Sequence, residues 1–80
     1  MKIHLLAFGL AKDIVGQQRS ELEVAEGITT DELQSQLIAE YPEMGNTLSI
    51  RLAVNEEYVL DAVVLNDGDE VALIPPVSGG

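Results

Sequence analysis

Residues 2–8, Lys-Ile-His-Leu-Leu-Ala-Phe, alternate along the chain. In extended backbone Ile3, Leu5 and Ala7 point one way and His4, Leu6 and Phe8 the other, which predicts a strand over Lys2–Phe8. Gly9 interrupts it, and Leu10–Val15 fits a short helix ended by Gly16. Alternation returns over Ser20–Val24, with Leu22 and Val24 facing inward and Glu21 and Glu23 outward. This is a second strand, pairing with the first as a hairpin with a long connection. Thr29-Thr30-Asp31-Glu32 is a capping box: Thr29 can cap a helix whose third residue, Glu32, reaches back. Leu33, Leu37 and Tyr41 then share one helical stripe, with Ile38 beside it. Pro42 ends the helix after about Glu40, because a residue preceding proline avoids the helical region. Pro42–Thr47 reads as a loop, Ser49–Asn55 as a strand and Glu57–Leu60 as a short strand. Asn66-Asp67-Gly68-Asp69 signals a turn, and Glu70–Ile74 is the last strand.

A single main helix among five strands, inserted after a hairpin, makes a two-layer α+β domain with a mixed sheet of four to five strands packed on that helix. Ile3, Leu5, Val24, Leu52, Val54, Val71 and Leu73 form its helix-facing side. Leu6, Phe8 and Ile74 fall on the other side, which the main helix leaves uncovered. An uncovered apolar patch marks a partner site, and Phe8, the only phenylalanine, suits its centre because aromatic anchors concentrate there. Residues 1–74 form the domain and 75–80 a flexible, extended C-terminal tail.

Composition narrows the function. Eighty residues bury only about 60% of the surface that the unfolded chain exposes, which leaves little room for a catalytic cavity. The net charge of −10 opposes phosphate neutralisation, so no nucleic acid is expected as partner. With no cysteine, there is no disulfide framework, thiolate metal site or thiol nucleophile. No signal-peptide pattern follows Met1-Lys2, and no apolar run approaches the roughly 18 to 20 residues that span a membrane. A cytoplasmic protein without a membrane partner is expected. His4, the only histidine, sits on a strand with no orienting group evident, so no base-assisted nucleophile can be assembled. Asp67-Gly68-Asp69 lacks the remaining spacing of a calcium loop and reads as a turn. No metal site is expected.

What remains is the end of the chain, Pro75-Pro76-Val77-Ser78-Gly79-Gly80. Two prolines fix successive φ angles and favour an extended course. Six extended residues reach about 20 Å. The last two carry no Cβ, which suits passage of a free carboxylate down a narrow channel. That carboxylate, activated as an acyl adenylate, can accept sulfur or an amine, with another protein supplying the catalytic groups.

The run from Asp67 to Gly80, Asp-Gly-Asp-Glu-Val-Ala-Leu-Ile-Pro-Pro-Val-Ser-Gly-Gly, resembles the small subunits of molybdopterin synthase, sulfur carriers of the ubiquitin-like β-grasp family. Phe8 closing the first strand, Val15-Gly16 after it and Ala53-Val54-Asn55 in the third long strand support the likeness, which covers nearly the whole chain. It implies a β-grasp fold, with the first strand beside the last. It implies that an ATP-dependent, E1-like enzyme adenylates Gly80 and that a sulfur donor system converts it to a thiocarboxylate. The tail, Pro75, Pro76, Val77, Ser78 and Gly79, then enters the active site of the synthase's large subunit. There sulfur passes to cyclic pyranopterin monophosphate, two deliveries making the dithiolene of molybdopterin. The family's synthase is a heterotetramer whose large subunit holds the catalytic residues, so this chain would be its sulfur-donating subunit, with no active site or bound cofactor of its own; ATP is consumed by the activating enzyme. Leu6, Phe8, Lys12 and Ile74 are the expected partner contacts, Lys12 standing where the family often has arginine. Carriers serving thiamine, cysteine or tRNA thiolation, a ubiquitin-like protein modifier, and a β-grasp binding module that uses only its sheet face stay open as alternatives.

Overall fold

The computed structural model describes residues 1–46, 50–59 and 61–74. Five strands, β1 (Lys2–Ala7), β2 (Arg19–Glu23), β3 (Arg51–Val54), β4 (Glu57–Tyr58) and β5 (Glu70–Ile74), join two helices, α1 (Gly9–Val15) and α2 (Thr30–Glu40). The strands form one sheet in the order β2-β1-β5-β3-β4. β1 lies parallel to β5, with Leu5 opposite Val71 and Ala7 opposite Leu73. The other pairs are antiparallel. First and last strands therefore sit side by side at the centre, which is the β-grasp arrangement.

The inward residues of β1 and β5, Ile3, Leu5, Ala7, Val71 and Leu73, are all buried. They share one core with Leu33 and Leu37 of α2, Ala11 of α1, and Leu52. Helix α2 starts and ends where its signals lie. The Thr29 N–H donates to Glu32 Oε1 at 3.0 Å and the Glu32 N–H to Thr29 Oγ1 at 3.2 Å, closing the capping box. The chain turns after Tyr41, whose N–H donates to the Leu37 carbonyl at 2.7 Å. Helix α1 ends on Gly16 at φ 93°, a left-handed C-cap that glycine adopts without a Cβ clash.

Several boundaries differ from the expected ones. Phe8 leaves β1 and becomes the N-cap position of α1. β2 runs Arg19–Glu23, although the Val24 N–H still reaches the Met1 carbonyl at 2.8 Å. Pro42–Asn46 is a 3-10 helix rather than a loop, and it buries Met44 against the end of α2. Ile38 flanks the apolar stripe of α2 but is 38% exposed. β3 and β4 are shorter than predicted; Ser49 and Leu60, at the ends of those readings, lie outside the described residues.

A two-residue turn, Asn55-Glu56, joins β3 to β4, with φ of 50° and 73°. Positive φ at both centres defines the turn that favours Asn-Gly, and glutamate at the second centre is strained by about 1–2 kcal/mol. Glu56→Gly removes that strain but gives the unfolded chain more freedom, about 0.4–1 kcal/mol. A net gain of roughly 0.5–1 kcal/mol is expected, raising the melting midpoint by a few degrees in calorimetry.

Candidate functional site

Among the described residues the sheet has one face against the helices and one that no helix covers. Strand register lays out the uncovered face row by row. Arg19, Leu6, Ala72, Ala53 and Tyr58 follow one another across all five strands. One step nearer the C-terminal end of β5, Ile74 stands opposite Arg51. Phe8 continues this row, since its N–H donates to the Leu73 carbonyl at 3.3 Å, prolonging β1 along β5. In the opposite direction lie Glu21, His4 and Glu70, then Glu23 and Lys2. The face is thus polarised. Its apolar part lies where the chain leaves β5 for the C-terminus, and its acidic part lies at the far end.

The expected contacts Leu6, Phe8 and Ile74 are brought together in the apolar part. Leu6 and Ile74 are half-buried, and Phe8 is 38% exposed. Phe8 has an extended backbone (φ −125°, ψ 152°), and its carbonyl accepts from the N–H groups of Ala11 and Lys12. That anchors the ring at the junction of sheet and helix. Lys12 is exposed on α1 in the turn that Phe8 caps. Pro75, Pro76, Val77, Ser78, Gly79 and Gly80 lie outside the described residues.

The turn before β5 shows why its motif is spaced as it is. Gly68 takes φ 84°, and its N–H donates to the Lys2 carbonyl at 2.7 Å. Asp67 accepts the Lys2 N–H at 2.8 Å. Asp69 accepts the Asn66 N–H at 2.8 Å and the Asn55 side-chain amide at 3.0 Å. Asn55 Oδ1 in turn accepts the Glu70 N–H at 3.0 Å. Both aspartates thus hold backbone and amide donors, as the turn reading expects, and the network fixes β5 between β1 and β3. The course of β5 up to Ile74 is set here, by the residues that precede the strand and its first residue, Glu70.

Sequence reasoning passed over Ala53, Ala72, Tyr58 and the half-exposed Leu10. The period-2 pattern of β3 and β5 does place Ala53 and Ala72 with Leu6, but alanine is too small to register as an apolar patch. Tyr58 sits on a two-residue strand, too short to show alternation.

Among the described residues no group of three or more His, Cys, Asp or Glu is arranged to hold a metal. The hollow beside β4, lined by Val54, Glu57, Tyr58, Val59, Asp61 and Val63, contains carboxylates but no nucleophile with a base. His4 lies half-buried on the open sheet face between Glu21 and Glu70. Among the described residues no helix is long and apolar enough to cross a membrane. Among the described residues the arrangement offers a docking face.

Known proteins match this chain over its whole length. The pattern of the ThiS family matches residues 5–80. A molybdopterin synthase sulfur carrier subunit from Chlamydomonas reinhardtii is 39% identical over 83 residues, covering 100% of both chains. Among solved structures, SAMP1 from Haloferax volcanii superposes with a TM-score of 0.81 at 22% identity, covering 100% of both chains. The complex of subunits 1 and 2 of molybdopterin-converting factor from Helicobacter pylori contains a chain that superposes with a TM-score of 0.68 at 24% identity, again over 100% of both.

Proposed function

The chain belongs to the ThiS family, and from that premise we propose that it is the sulfur carrier of molybdopterin synthase. The observation that carries this reading is a family match running through the last residue, on a chain akin to a named sulfur carrier subunit end to end. The described residues, meanwhile, assemble no catalytic set. By that likeness the reacting group is the α-carboxylate of Gly80. An E1-like enzyme adenylates it, with ATP supplying the adenylyl group and pyrophosphate leaving. Sulfide-level sulfur from the donor system then attacks the acyl carbon, a C–S bond forming as the C–O bond to AMP breaks, and leaves a thiocarboxylate with no change of oxidation state. The large subunit of the synthase receives the tail and transfers the sulfur to cyclic pyranopterin monophosphate.

The carrier's own residues dock and orient. Leu6, Phe8 and Ile74 supply the apolar contact beside the origin of the tail, and Lys12 adds a cation at the same end. Pro75, Pro76, Val77, Ser78 and Gly79 are the segment that enters the large subunit ahead of Gly80. The Helicobacter pylori complex, in which a chain of this fold is bound to a second subunit, supports the pairing.

The test is the intact mass after incubation with ATP, the activating enzyme and a sulfur donor. A gain equal to sulfur replacing one oxygen, with no bond to a target protein, is expected. An unchanged mass with an activating enzyme that loads a related carrier refutes the reading, and an isopeptide-linked product shows a protein modifier instead.

A further inference from the structure

The sequence holds four basic residues among fourteen acidic ones, and the sheet register places three of the four, Lys2, Arg19 and Arg51, on the uncovered face. Lys2 is neutralised there by Glu21 at 3.9 Å. Arg19 and Arg51 are not. Both are exposed, and among the described residues neither guanidinium has an ion-pair or hydrogen-bond partner. Two unengaged arginines are unexpected on so acidic a chain.

Their placement is equally selective. Arg19 stands opposite Leu6 and Arg51 opposite Ile74, so they flank the apolar strip on its two sides. They are separated by three strand spacings, about 14 Å. The exposed flank of α2, with Asp31, Glu32 and Glu40, carries no cation. Arginine is the cation suited to this position. Its planar, weakly hydrated guanidinium pairs with a carboxylate through two parallel hydrogen bonds, and it is enriched at protein interfaces where lysine is depleted.

We propose that Arg19 and Arg51 form a two-point clamp for a protein surface with an apolar centre and a carboxylate on either flank. Resting on the function proposed above, the clamp assigns that surface to the sulfur-accepting large subunit. The two points are unequal: Arg51 lies one row nearer the tail, and the acidic row of Glu21 and Glu70 lies on the other side of Arg19. A partner carboxylate is attracted at the tail end and repelled at the far end. The clamp therefore selects the docking orientation that aims the C-terminus at the acceptor's active site.

Association with the large subunit of the same synthase, followed by stopped-flow at several salt concentrations, tests this. Arg19→Glu and Arg51→Glu are each expected to slow association about 3- to 10-fold at low ionic strength and to flatten its salt dependence, as loss of steering charges does. Arg51→Lys should keep most of the rate while dissociating faster. Ser35→Glu/Gln36→Glu on the exposed side of α2 changes net charge equally and should alter the rate less than about twofold, since both positions lie away from the hollow that Arg51 lines. Melting midpoints of all variants should match the parent, because each site is exposed. If the parent binds and both arginine variants bind as fast, the clamp is overturned while the carrier function stands. If the α2 variant slows association as much, net charge explains the effect and the clamp falls. If the variants fail only with the activating enzyme, the assignment to the large subunit is wrong. If the parent does not bind the large subunit, the proposed function fails and the clamp with it.

Discussion

Deletion of Gly79 and Gly80 is expected to abolish sulfur loading while leaving the fold unchanged. The deleted chain ends on Ser78, so a carboxylate is still present, but it differs in two ways. Its reach is shorter by two residues, at most about 7 Å. It also sits on a residue with a side chain, where a passage admitting only backbone would meet a Cβ. Adenylation needs the carboxylate within bonding distance of a phosphorus atom held in the activating enzyme. A misplacement of a single ångström can cost on the order of a hundredfold in such a step, so a shortfall of this size leaves no measurable product. The core lies wholly upstream, with Val71 and Leu73 the last buried residues described, so the melting midpoint should not move. Mass spectrometry of the intact protein reads the first outcome and calorimetry the second. Gly80→Ala separates the two causes, since it keeps the length and adds one methyl. Loading restored to near the parent level in that variant would show that reach, rather than side-chain clearance, limits the reaction. A deletion variant that still gained sulfur would remove the tail from the mechanism.

The parts of the fold legible in the sequence are those with local causes. Helix α2 could be bounded because Thr29, Glu32 and Pro42 act within a turn of themselves. α1 could be bounded because only a residue at ease with positive φ closes a helix as Gly16 does. β5 was visible as an apolar run after a turn. What local reasoning could not supply were contacts between distant segments. The parallel pairing of β1 with β5 joins the two ends of the chain and leaves no periodic trace; the family likeness supplied it. The same holds for the segment Val63–Leu65, which no strand pattern predicts. Its Leu65 is 1% exposed in the core, and its Val63 exchanges hydrogen bonds with Thr30, the buried polar residue at the start of α2. An isolated bridge, Thr29 to Val64, has no alternation to betray it.

The site divides the same way. Leu6, Phe8 and Ile74 could be assigned to the open face from alternation alone, because strand side chains change sides at every residue. The row that completes it, with Ala72, Ala53 and Tyr58, needed the strand order. The Asp67–Asp69 motif was read as a turn, but its partners, Lys2 and Asn55, lie far away in sequence. The motif thus serves the carrier by holding β5, and with it the root of the tail, between its two neighbouring strands.

Phe8→Ala should weaken docking far more than it weakens the domain. The ring belongs to the open face, lies outside the principal core cluster and is more than one-third exposed. Truncation therefore removes only part of a buried aromatic's contribution to folding, and a loss below about 1 kcal/mol is expected, compared with the 3–5 kcal/mol of a fully buried phenylalanine. The backbone of Phe8 caps α1 through its carbonyl, which alanine retains. Binding is different. A central aromatic anchor that a partner desolvates fully contributes about 2–4 kcal/mol, which weakens affinity roughly 30- to 1,000-fold when it is lost. Titration calorimetry with the large subunit, beside thermal unfolding of the free carrier, measures both quantities. Sulfur loading should fall less than transfer to the pterin if the activating enzyme depends less on this ring. Equal losses in affinity and in stability would instead place Phe8 in the core of the domain and return the docking role to its neighbours Leu6 and Ile74.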